Sequence, residues 1–91
     1  VTLFRGTTGS ESGSSLLFLT DDAVVASSYI KNGGQLMKYD ISNSGLYQLK
    51  YTGKLDIYKG INQGSNIIST EYKFMGKDIV NAVNKLATPH P

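Results

Sequence analysis

The chain of 91 residues carries nine basic and seven acidic side chains, a net charge of +2, 40% apolar residues and no cysteine. These bounds describe one small domain with a modest core and exclude two full domains, a disordered composition, a disulfide staple and a thiolate metal site. No apolar run nears the roughly 20 residues of a membrane-spanning helix, and the scattered lysines form no dense basic footprint for nucleic acid.

Thr2 to Gly6 predicts a short strand, and residues 7–15 (TTGSESGSS) a long polar loop. Leu16 to Thr20 is an apolar run between turn signals, the pattern of a buried strand. Thr20 or Asp21 is placed to cap a following helix, whose positive end suits the paired acids. Ala23, Ala26 and Ile30 share one face of that helix, Val25 and Tyr29 lie beside it, and Gly33-Gly34 ends it. Three strands are expected next, at 35–41, 46–51 and 54–59, separated by Asn43-Ser44-Gly45 and Thr52-Gly53. Met37/Tyr39/Ile41 and Tyr47/Leu49/Tyr51 supply the period-two alternation. Residues 60–66 (GINQGSN) predict a second polar loop, and Ile67 to Phe74 a further strand. Ile68, Thr70, Tyr72 and Phe74 point to one side of it as core, and Ile67, Ser69, Glu71 and Lys73 to the other. A last helix runs from Asp78 to about Ala87 on the stripe Ile79, Val83, Leu86, with Val80 and Ala87 flanking. Residues 88–91 are expected to fray as a disordered tail, leaving 1–87 as the folded domain. The order predicts a small α+β domain, mainly antiparallel sheet with two helices. The sequence begins at Val1 rather than Met and shows no signal peptide, so a piece processed from a longer protein is expected.

Few residues can carry chemistry. The one histidine, His90, stands between Pro89 and Pro91 in the expected tail, which argues against His-based acid–base or Ser–His–Asp catalysis. No zinc ligand set, P-loop or Gly-x-Gly-x-x-Gly pattern is present. Arg5 is the only arginine; its planar fork suits bidentate phosphate contact, and an edge-strand Arg reaching solvent is the plainer alternative. Gly6 lets a ligand approach the backbone closely. Glu71 is one of two glutamates, the other being Glu11 in the first loop. It stands mid-strand, where Glu is disfavoured, facing either a cleft or solvent. Phe18 and Tyr29 flank the strand-to-helix segment, as core or as a ligand surface.

Taken in order, these positions resemble the three motifs of mono-ADP-ribosyltransferases, over about residues 2–80. Leu3-Phe4-Arg5-Gly6-Thr7 is similar to the first motif, an aromatic–Arg/His–Gly–Thr on the first strand. FLTDDAVVASSY, Phe18 to Tyr29, is similar to the second motif of the diphtheria-toxin-like branch: Tyr-Ser-Thr-Asp, a helix with Ala, and a second Tyr after ten intervening residues. Phe18 and Tyr29 keep that spacing, with Thr20, Asp21 and Ala26 in register. GINQGSNIISTEYKFMGKDI resembles the third motif, a substrate-facing loop and a strand whose Glu would be Glu71. The chain also departs from the pattern. Arg in the first motif belongs to the Arg–Ser–Glu branch, while the second motif leans towards the His–Tyr–Glu branch. Phe18 stands for the first Tyr, and Ser69 stands where Arg-modifying members carry Glu and others Gln.

The resemblance implies a small ADP-ribosyltransferase-like fold that transfers ADP-ribose from NAD to a protein and releases nicotinamide. Glu71 and Arg5 would be catalytic, Glu71 stabilising the oxocarbenium-like transition state and Arg5 holding the pyrophosphate or adjoining ribose. Gly6 and Thr7 would bind NAD, the Gly6 backbone gripping the carboxamide. Tyr29 with Phe18 would stack on the nicotinamide, Thr20 would brace the pocket, and the loop at 60–68 would present the acceptor; no metal is implied. Small domains of this kind resemble the C-terminal toxins of Rhs and other polymorphic delivery proteins. Such toxins compete with rival bacteria by acting in the target cytoplasm, on translation components such as an elongation factor, and an immunity protein restrains them at home. An NAD glycohydrolase, a small barnase-like toxin ribonuclease and a non-catalytic binding module are the other readings. No membrane partner is expected.

Overall fold

Leu3, Leu17, Leu19, Tyr39, Leu55 and Phe74 are all buried in one core. Strand alternation explains this, because each stands on the same side of the sheet that the chain builds. The computed structural model describes residues 1–7, 15–61 and 66–90. Its strands are β1 (Thr2–Gly6), β2 (Leu16–Thr20), β3 (Leu36–Asp40), β4 (Leu55–Ile61), β5 (Ile68–Met75) and β6 (Ala87–Pro89), all paired antiparallel in the order β4-β5-β2-β1-β3-β6. Leu17 lies opposite Phe74, which faces Leu55, and Leu19 lies opposite Tyr72, which faces Ile57. Two helices cover these rows: α2 (Asn43–Tyr51) brings Leu46 into the core, and α3 (Lys77–Asn84) brings Val80 and Val83. The fold is thus a small α+β domain dominated by antiparallel sheet. A third helix, α1 (Ala23–Ser27), contacts β1, β2 and β3, and its Val25 and Ala26 are buried outside that core.

β1 and β2 share one registered pair, Phe4 with Thr20, whereas β1 and β3 run in register from Thr2 with Asp40 to Gly6 with Leu36. The sheet therefore splits between β1 and β2 beyond Phe4.

Several expectations need correction. Residues 46–51 form helix rather than strand. Ser42 caps α2, its Oγ accepting from the Gly45 N–H at 3.1 Å, so Asn43-Ser44-Gly45 is the first helical turn and not a loop. The alternating Tyr47 and Tyr51 also stand four apart, and they stack on the exposed helix face at 6.5 Å between ring centroids while Leu46 and Leu49 turn to the core. The cap of α1 is Asp22, whose Oδ1 accepts from Val24 and Val25 at 2.8 and 3.1 Å. That helix ends at Ser27, so Tyr29 and Ile30 sit in the turns beyond it. Gly76, at φ 98°, opens α3 in a conformation that favours glycine. Ile68, expected in the core, is exposed at the end of β5 opposite the equally exposed Ile61.

The expected frayed tail is instead strand β6, pairing Thr88 with Lys38, and the His90 N–H continues it to the Leu36 carbonyl. Pro89 is tolerated because β6 is an edge strand. Residues 8–14 and 62–65, which hold most of the two expected loops and Glu11, and Pro91 lie outside the described residues.

Candidate functional site

Opposite the core, register sets one row of side chains across four strands: Phe4 on β1, Thr20 on β2, Glu71 on β5 and Tyr58 on β4. Helix α1 stands beside this row, and between them lies a cleft of about 920 Å³. Arg5, Gly6, Phe18, Thr20, Tyr29 and Glu71 all line it, although they come from three separate stretches of the chain. Arg5 alternates with Phe4 and pairs with Met37 on the core side of β1, yet it lines the same cleft as Glu71; it lies just beyond the one registered pair of β1 with β2.

Each side chain has a local cause for its place. Glu71 projects from the middle of β5, held by ladders on both sides. The Ser69 Oγ donates to Glu71 Oε1 at 3.0 Å, and Ser69 is itself 5% exposed. A buried hydroxyl on the same strand face thus fixes one carboxylate oxygen. Thr20 is buried, and its Oγ1 accepts from the Asp22 N–H at 3.2 Å, bracing the turn from β2 into α1. Phe18 and Tyr29 are 50% and 54% exposed, so their rings are cleft surface and not core.

Gly6 is where two backbones meet: a Cβ there would stand 2.1 Å from the Ala26 carbonyl oxygen. The close approach at its α-carbon is made by α1, a reason for glycine that the sequence alone did not show. Thr7 is not among the cleft-lining residues. Its Oγ1 accepts from the Gln35 N–H at 2.9 Å and donates to the Gln35 carbonyl at 3.3 Å. Its own carbonyl accepts from the Lys31 N–H at 3.3 Å.

The structure adds Lys31 and Tyr58 to the lining. Lys31 was hidden in the sequence because it follows the helix at no motif position; the Thr7 bond carries it to the end of β1. Among the described residues that line the cleft, Arg5 and Lys31 are cationic and Glu71 is the one carboxylate. His90 packs its ring against Phe4, centroids 5.3 Å apart, and is not in the lining. Among the described residues no group of three His, Cys, Asp or Glu side chains is placed to hold a metal ion, and no helix is long and apolar enough to cross a membrane. Such a cleft suits a ligand that combines anionic groups with flat rings, and its carboxylate favours positive charge developing nearby. Comparison with protein-family models, curated proteins and solved structures gives no match for this chain.

Proposed function

We propose that this domain is a mono-ADP-ribosyltransferase toxin that takes ADP-ribose from NAD and passes it to a protein. One observation carries the reading: Arg5, Glu71 and two exposed aromatic rings line a single cleft of a size typical for small-molecule sites. Arg5 holds the pyrophosphate, Phe18 and Tyr29 stack on the nicotinamide, and the Gly6 backbone meets the carboxamide. The bond from ribose C1′ to nicotinamide nitrogen breaks with its electron pair going to the ring, which leaves as neutral nicotinamide. The ribosyl cation that grows at C1′ is stabilised by the Glu71 carboxylate. A nucleophile of the acceptor protein then bonds to C1′ and gives up its proton. The acceptor is a component of the target bacterium's cytoplasm, such as a translation factor, reached by delivery within a larger effector, and a cognate immunity protein would neutralise the domain by binding it.

NAD glycohydrolysis, with water as nucleophile, is the second reading. Ser69 favours it, because its hydroxyl is engaged with Glu71 instead of being turned towards an acceptor. Incubation of a bacterial lysate with the domain and biotin-labelled NAD tests both. A labelled protein band supports transfer, and NAD loss without a band supports hydrolysis. Glu71→Gln is expected to slow either by about 100-fold or more, the cost of losing a preorganised electrostatic contact. Unchanged NAD overturns both readings; RNA breakdown in the same lysate would then favour the ribonuclease, and intact RNA the binding module.

A further inference from the structure

The two consecutive acids Asp21 and Asp22 do different jobs. Asp22 caps α1, but Asp21 turns to β5. The Asp21 N–H donates to the Thr70 carbonyl at 3.2 Å, and the Thr70 N–H donates to Asp21 Oδ1 at 2.9 Å. In a regular antiparallel ladder the second bond would go to the Asp21 carbonyl. Here the carboxylate replaces that carbonyl, so the main chain can leave the sheet towards α1 while β5 keeps its partner. The residue clamped is the one immediately before Glu71.

Its position makes the clamp consequential. Thr20 with Glu71 is the last registered pair between β2 and β5. Beyond it, Ser69 and Ile68 are paired with β4 alone, in a two-stranded ribbon, an arrangement of marginal stability by itself. Ser69 in that ribbon carries the hydroxyl that holds Glu71. Resting on the transferase or hydrolase reading above, we infer that Asp21 is a positioning residue: its carboxylate pins the Thr70 amide, and so fixes the Ser69–Glu71 hydrogen bond and the aim of the Glu71 carboxylate into the cleft. Asp21 is not among the residues lining the cleft, so its effect passes through the backbone.

The test uses the intact domain as wild type, Asp21→Ala, Asp21→Asn and Glu71→Gln. NAD cleavage is measured across NAD concentration, and Thr70 amide hydrogen exchange by NMR. Asp21→Ala is expected to lower kcat by about 10- to 100-fold, as small misplacements of reacting groups do. KM for NAD should stay within about threefold, since uniform binding is untouched. Thr70 exchange should quicken about tenfold or more as its opening equilibrium rises. Asp21→Asn keeps an Oδ1 acceptor and should restore most of both. Wild-type kcat in Asp21→Ala, a matching rise in KM, or no rescue by Asn each overturns the inference. If wild type cleaves NAD no faster than Glu71→Gln, the proposed reaction falls and the catalytic half of this inference with it. The clamp itself then stands or falls on whether Asp21→Ala speeds Thr70 exchange.

Discussion

Replacing Gly6 with Ala should unseat helix α1 from β1. The φ of Gly6 is not in the left-handed region, so the cost is steric and not conformational. The added Cβ would stand 2.1 Å from the Ala26 carbonyl oxygen, 3.0 Å from Ile30 Cγ1 and 3.1 Å from the Ile30 nitrogen, where ordinary contact begins at 3.4 Å. Two of these three atoms are backbone, so no rotamer change relieves the clash; α1 and the turn after it must retreat. Overpacking of this kind costs about 1–3 kcal/mol. A domain of 91 residues has a total stability of roughly 5–14 kcal/mol, so the loss is a sizeable fraction. At about 4–8 °C per kcal/mol, Tm should fall by about 4–24 °C in a thermal melt followed by circular dichroism. Because Tyr29 stands just after α1 and lines the cleft, KM for NAD should rise in the same variant. A Tm within about 1 °C of wild type, below the smallest shift this cost allows, would refute the seating of α1 against β1.

Three further substitutions probe other parts of the structure. Ser69→Ala removes the donor to Glu71 Oε1 and should lower kcat for NAD cleavage about tenfold, the scale of a hydrogen bond to a charged group; an unchanged rate would show that Glu71 needs no such support. Phe74→Ala empties the centre of the core and should cost about 3–5 kcal/mol in urea unfolding. Ser42→Ala should cost about 0.5–2 kcal/mol as a lost N-cap, whereas a strand at 46–51 would leave the urea midpoint unmoved.

Strands whose core side is plain in the pattern were legible from sequence. Leu17 and Leu19 alternate with Phe18 and Thr20, and the structure buries the leucines in the main core. Position 46–51 misled because an aromatic pair spaced four apart satisfies both the strand and the helix period, and only the Ser42 cap and the buried Leu46 distinguish them. β6 is not legible in the sequence because its few residues pair only with β3, a partner far away along the chain. The grouping of Arg5, Phe18, Thr20, Tyr29 and Glu71 was legible only through the resemblance, since no local rule brings β1 and β5 to one cleft; strand order does. Lys31 and the Asp21 clamp depend on single long-range hydrogen bonds, which periodicity does not encode.

The lone rung between Phe4 and Thr20 makes the molecule two three-stranded leaves joined along a seam, with α1 strapped over it. A dinucleotide lying in the seam would touch both leaves and supply the cross-ties the backbone omits there. Occupancy should therefore stiffen the protein as a whole, raising its stability by about 2.7 kcal/mol when the ligand is at a hundred times its Kd. On the proposed reading, the ligand would tie together the two neighbouring strands that share the fewest registered pairs in the sheet.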